Sequence, residues 1–207
     1  MNRRMVLAGA GSAAMALVLG FGAAVWLNGD GGSRLQFHGL DITGADYANA
    51  FNLTDFDGKQ RALGDFQGKV VVMFFGYTQC PDVCPTTMSE MVDVKRRLGA
   101  DGDRLQVLFV SVDPERDTPD VLKAYMRNFD SSFLALYASS PEQLAALARN
   151  FKVYFKKVEG ATPTSYTMDH TAASFIYDPQ GRIRLYSRYG TPVDDVAADI
   201  TALLQGA

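Results

Sequence analysis

Val70 to Phe75 is an unbroken apolar run, too short to span a membrane and rich in β-branched and aromatic residues. That pattern predicts a strand buried on both faces, ended by Gly76. Beyond it Met88, Met91, Val92 and Leu98 recur at helical spacing, with Glu90, Asp93, Lys95, Arg96 and Arg97 turned elsewhere, so the strand feeds an amphipathic helix. Upstream, Phe51, Leu53, the Asp57-Gly58-Lys59 turn and Leu63 predict a small β-hairpin. Downstream, Leu105 to Val112 reads as a second apolar strand, parallel to the first because a helix intervenes. Thr118 caps a helix with Pro119 at its first position and Val121, Leu122, Tyr125 and Phe129 inward. Pro141 opens another helix, with Leu144, Leu147 and Ala148 inward, and Phe151, Val153 and Phe155 alternate with Lys152, Tyr154 and Lys156 as a strand would. Glu159 to Asp169 is read as a movable loop with His170 at its end. Ala172–Tyr177, the turn Asp178–Gly181 and Arg182–Tyr186 predict an antiparallel hairpin, and Pro192 opens a last helix through Leu204.

Hairpin, β-α-β-α, an extra helix and strand, then β-β-α is the order of a thioredoxin-like α/β fold with an N-terminal β-hairpin and an inserted helix and strand. In that architecture the loop entering the penultimate strand approaches the turn after the first core strand. His170 is therefore expected to meet the residues after Gly76.

The N-terminus carries a different pattern. Arg3 and Arg4 precede Met5 to Leu27, 23 residues without a charge. This is long enough to span a hydrocarbon core, and the charge bias places the N-terminus inside and the body outside. We read residues 1–27 as an uncleaved single transmembrane anchor, Trp26 suiting the outer interface; a cleaved signal peptide is the alternative. The paired arginines weakly resemble a twin-arginine export signal. Residues 28–34, with Gly29 to Gly32 all glycine or aspartate, read as a flexible linker, and residues 35–207 as one globular domain. A formal net charge of −3 gives no global basic field, which argues against nucleic acid as a partner.

Only two cysteines are present, Cys80 and Cys84, which excludes a multi-disulfide scaffold and a four-cysteine zinc site. With Pro85 at the first helical position, Cys84 falls in the N-cap or first turn and Cys80 in the loop before it. Free backbone N–H groups and the helix dipole there favour thiolates. Such a pair can serve as a disulfide, a redox couple or half of a soft-metal site. Two thiolates and an imidazole from His170 make a donor set suited to Cu(I); zinc accepts the same ligands but usually takes a fourth. Asp169 is a candidate to orient or polarise His170, or simply to cap the strand entry. Met88 and Met91 fit a core stripe, Met168 is assigned to neither core nor site, and His38 is read as incidental. The acidic cluster Asp113 to Asp117 is assigned to turn and capping chemistry.

Phe-Gly-Tyr-Thr-Gln-Cys-Pro-Asp-Val-Cys-Pro-Thr, from Phe75 to Thr86, resembles the signature of the Sco/SenC family of copper-binding cytochrome c oxidase assembly proteins, and Ser111 to Pro119 and Asp169-His170 resemble further motifs of that family. The resemblance implies that Cys80, Cys84 and His170 bind copper, as Cu(I) and also Cu(II), and that the protein is a membrane-anchored metallochaperone, not an enzyme. It also implies help in building the dinuclear copper centre of cytochrome c oxidase, with the oxidase's copper-receiving subunit and a periplasmic copper donor as partners. The domain would then lie in the periplasm or extracytoplasmic space, tethered to the inner membrane. The alternative is a thiol-disulfide reductase acting on partner cysteines. Three residues between the cysteines and no proline from Tyr166 to Ala173 count against a general thioredoxin. Peroxidase chemistry is a weaker third reading.

Overall fold

The computed structural model describes residues 36–162 and 165–207. The anchor and linker predicted for residues 1–34 lie outside them; among the described residues no helix is long and apolar enough to cross a membrane. In chain order the elements are β1 (Leu40–Asp41), β2 (Leu53–Asp55), β3 (Gln60–Arg61), β4 (Val70–Gly76), α1 (Val83–Arg97), β5 (Leu105–Ser111), α2 (Pro119–Met126), β6 (Leu134–Tyr137), α3 (Pro141–Phe151), β7 (Phe155–Glu159), β8 (Tyr166–His170), β9 (Ala173–Tyr177), β10 (Ile183–Arg188) and α4 (Val193–Leu204). Two short 3₁₀ turns, Leu63–Phe66 and Gly99–Arg104, flank β4 and β5 on their N-terminal sides.

Eight strands form one sheet in the order β1-β10-β9-β4-β5-β6-β2-β3, while β7 and β8 form a separate two-stranded sheet. The apolar run is the centre of the large sheet: all seven residues of β4 are buried, β5 pairs with it in parallel and β9 antiparallel. Because neighbouring side chains of a strand point to opposite faces, Phe74 and Phe75 serve two layers. Phe74 packs on Phe109 beneath α1 and α2, and Phe75 packs on Phe151 of α3 and on Phe175. Helices α1 and α4 lie against one another. This is the predicted thioredoxin-like arrangement, with the leading hairpin as β2 and β3, its turn carried by Gly58 at φ 84°.

The structure departs from the sequence expectations at several points. Helix α1 starts at Val83 with Asp82 before it, so Pro85 is the third helical residue instead of the first. First-turn N–H groups have no intrahelical acceptor, so the proline costs nothing there, and Cys84 remains in the first turn. Helix α3 runs through Phe151 and is closed by Lys152 at φ 52°, so the strand begins only at Phe155. Val121 faces solvent, and Leu122 and Met126 supply the buried face of α2. The four-residue strand β6 was not foreseen; it pairs in parallel with β5. The second part of the expected mobile loop, from Tyr166, is strand: β8 pairs antiparallel with β7 from Tyr166↔Glu159 to His170↔Phe155.

His38 has a structural place. The buried carboxylate of Asp199 in α4 accepts from the backbone N–H groups of His38 and Gly39 and lies 3.0 Å from His38 Nδ1. This pins the segment just before β1 to α4.

Candidate metal centre

Strand β4 delivers the cysteine turn and the end of β8 delivers the histidine. Sγ of Cys80, Sγ of Cys84 and a ring nitrogen of His170 all lie within 4.8 Å of one another. Cys84 Sγ is 3.4 Å from His170 Nε2 across 86 residues of sequence. Cys84 is buried, whereas Cys80 is half-buried and reachable from solvent, and the two sulfurs are unlinked.

Cys84 can be this deep because β4 ends in glycine. A Cβ at position 76 would stand 2.8 Å from Cys84 Sγ, 2.8 Å from Phe74 Cε1 and 2.9 Å from Phe109 Cε2. Glycine is needed here for close approach; its φ is ordinary. Burial also overturns the expected thiolate: removal from water pushes the Cys84 thiol up from its ordinary value, a backbone hydrogen bond from Tyr77 only partly opposes this, and charge on Cys80 pushes the same way. The helix terminus does not outweigh the lost hydration, so a metal must displace the thiol proton to bind.

His170 is held by its surroundings. Its ring meets Phe74 and Tyr77 edge-on, at 5.9 Å and 84° and at 5.8 Å and 88°. Nδ1 lies 3.2 Å from the carbonyl oxygen of Thr171. A carbonyl can only accept, so Nδ1 carries the proton and the Nε2 lone pair faces Cys84. Burial lowers the imidazole pKa, with the Thr171 contact and the charge of Asp169 working upward, so the ring is neutral near pH 7. Asp169 is exposed, next to His170 on the alternating strand β8, and reaches the ring only through its charge; Thr171 performs the orienting first considered for it. Met88, Met91 and Met168 are all buried in the core cluster.

The sequence reading missed the ties that hold the cysteine turn to the rest of the site. Buried Asp117 accepts from the Thr78 hydroxyl at 2.6 Å, the Thr78 N–H at 3.2 Å and the Ser111 hydroxyl at 2.7 Å. It thus links the cysteine turn to the end of β5, while Thr118 supplies the α2 cap. Arg116 joins three segments: its Nε donates to Asp113 at 2.5 Å, and Nη1 donates to Gln79 Oε1 at 3.1 Å and to the Tyr166 carbonyl at 3.0 Å. The centre of the Tyr166 ring is 3.5 Å from the Arg116 guanidinium and 4.0 Å from Lys157 Nζ, and its hydroxyl donates to Asp113 at 2.7 Å. The cluster from Asp113 to Asp117 was visible in sequence, but its partners lie 37 to 53 residues away.

The donor set is chemically apt for a soft ion: two sulfurs and a neutral imidazole with its lone pair turned inward. Among the described residues, the buried side-chain polar atoms without a partner are Arg116 Nη2 and Tyr125 Oη, and both residues border this site.

Fold and site together define a thioredoxin-like domain with a Cys-Cys-His cluster fit for a soft metal or for thiol exchange. The SCO1/SenC family model matches residues 41–205, and the chain belongs to that family. It is 38% identical over 133 residues to the mitochondrial protein SCO2 homolog of Mus musculus, covering 63% of this chain and 52% of that one. The chain spans about half the length of the curated relatives it matches. Among solved structures it resembles Bradyrhizobium japonicum ScoI with copper bound, at 40% identity and a TM-score of 0.67 over 74% of this chain and 97% of that one. It also resembles BsSco, described as having a disulfide switch and as a member of the Sco family of cytochrome c oxidase assembly proteins, at 25% identity and a TM-score of 0.63 over 83% and 99%.

Proposed function

We propose that this protein is a copper carrier that serves cytochrome c oxidase assembly, holding copper between Cys80 Sγ, Cys84 Sγ and His170 Nε2. The convergence of these three atoms within 4.8 Å carries the reading. Family membership and the copper-bound ScoI relative support it. With three protein ligands among the described residues, Cu(I) is held firmly enough to carry and openly enough to release. Copper is the cargo. Loading expels the thiol proton of Cys84, and the neutral imidazole contributes its lone pair without losing a proton. Cys80, the more accessible sulfur, is where a partner thiolate first meets the metal. The recipient is the copper-receiving subunit of the oxidase and the donor is periplasmic. Residues 1–27 anchor the chain in the inner membrane, residues 28–34 link it, and residues 35–207 work outside that membrane.

Thiol-disulfide exchange is the second reading, supported by two unlinked sulfurs in one turn and by the disulfide switch described for BsSco. One experiment separates the two. Reduced protein is titrated anaerobically with Cu(I) against a competing chelator, beside His170→Ala. Tight one-to-one binding weakened by the substitution, with Cys80–Cys84 disulfide exchange retained, is expected. Binding no better than that of a nonspecific dithiol would leave exchange as the main activity.

A further inference from the structure

Three polar ties run from the β7–β8 hairpin, which carries His170, to the turn after β5. Asp113 accepts from the Tyr166 hydroxyl at 2.7 Å, Glu115 accepts from Lys157 Nζ at 2.7 Å, and Arg116 Nη1 donates to the Tyr166 carbonyl at 3.0 Å. The Glu115 pair is open to water and contributes little. Arg116 is different, because it reaches two ways. The same Nη1 donates at 3.1 Å to Oε1 of Gln79, the residue before Cys80. Its guanidinium stands 5.7 Å from the centre of the Tyr77 ring, and Tyr77 meets the His170 ring edge-on. The side chain is aimed by Asp113, whose buried carboxylate takes Nε at 2.5 Å. One cation therefore touches both segments that bring candidate ligands.

We propose that Arg116 is a positioning residue that clasps the hairpin to the cysteine turn and so keeps the His170 imidazole beside Cys84. The proposal deepens the copper reading given above and rests on it. The cysteine turn has a second hold, the Asp117 carboxylate on the Thr78 N–H and hydroxyl, so loss of Arg116 leaves the sulfurs in place and frees the hairpin. The role needs the shape of a guanidinium as well as its charge. A planar fork stacks on the Tyr166 ring at 3.5 Å while its edge donates to Asp113, Gln79 and the Tyr166 carbonyl. An ammonium keeps the charge but cannot stack and reach all three acceptors together.

Arg116→Gln and Arg116→Lys in the full chain test this, the lysine variant keeping the stem and charge should the glutamine variant fail to fold. In the reduced, metal-free protein, amide exchange should quicken about tenfold or more in β7 and β8 while β4 and β5 stay protected. Cu(I) affinity in anaerobic competition with bathocuproine disulfonate should fall about tenfold in both variants, the effect of losing one charge-assisted hydrogen bond. In a His170→Ala background the same substitutions should change Cu(I) affinity less than about twofold, because the hairpin then carries no ligand. A general loss of structure would lower affinity in both backgrounds, and that result would overturn the proposal. Unchanged exchange in β7 and β8, or wild-type affinity in Arg116→Lys, would overturn it too while leaving the copper reading intact. Wild type that binds Cu(I) no better than Cys80→Ser would overturn the copper reading, and this proposal with it.

Discussion

Gly76→Ala is the sharpest test of how the centre is built. The new methyl carbon would stand 2.8 Å from Cys84 Sγ, 2.8 Å from Phe74 Cε1 and 2.9 Å from Phe109 Cε2, where ordinary contact begins near 3.4 Å. The strand cannot yield: Gly76 is paired in register with Ser111, and its carbonyl accepts from the Val112 N–H at 2.9 Å. Both phenylalanines are buried, so the neighbours must shift by about half an ångström in a closed core. Overpacking of this kind costs about 1–3 kcal/mol, which for a domain of this size lowers the melting temperature by about 3–10 °C. Cys84 Sγ is the neighbour nearest the turn and moves relative to His170, so Cu(I) affinity should also fall, by about tenfold or more. Gly64→Ala is the control: its Cβ would meet nothing within 4 Å and its φ is ordinary, so it should be neutral or slightly stabilising. Thermal unfolding of the reduced, metal-free chain followed by circular dichroism, with Cu(I) competition on the same samples, reads both effects. Gly76→Ala melting within about 1 °C of Gly64→Ala and binding Cu(I) like wild type would show that the sulfur is not seated on the strand end.

Tyr166→Leu removes both the cation-stacking face and the hydroxyl that tie β8 to Asp113 and Arg116. Amide exchange should accelerate in β7 and β8 while β4 and β5 stay protected; equal protection throughout would refute the tie. For His38, the hydrogen bond to Asp199 raises the imidazole pKa above its ordinary 6.5, with burial opposing. The resulting stabilisation is full below pH 6.5 and is lost as pH rises through the raised folded value. The melting-temperature gap between wild type and His38→Gln should therefore shrink from about pH 5.5 to 8.5, and a gap that widened would refute the assignment.

The core was legible because it is written in local runs. Val70 to Phe75 and Leu105 to Val112 contain too many β-branched and aromatic residues to read otherwise, and the order of elements was enough to bring His170 to the cysteines. Strand β6 escaped because four residues carry little periodicity, and β8 because Thr167 and Asp169 face water and its pairing with β7 depends on a distant segment. The protonation of Cys84 was misjudged for a related reason. The helix terminus is a local signal that favours thiolate, whereas the dehydration that wins comes from the packing of β4 and β5 around Gly76. The links made by Asp117, Arg116 and Tyr166 join segments dozens of residues apart, and no spacing rule in one sequence announces them.

The three candidate ligands belong to two sheets. Both sulfurs ride on the buried eight-stranded sheet through its central strand, and the imidazole rides on the last residue of a two-stranded hairpin whose strand β7 is largely exposed. A small, largely exposed hairpin opens locally more readily than a buried sheet unfolds. On the copper reading proposed above, the residence time of a bound ion would be uncoupled from the lifetime of the fold: the domain would be long-lived while its cargo is kinetically labile, exchanged through a local fluctuation that leaves the core intact.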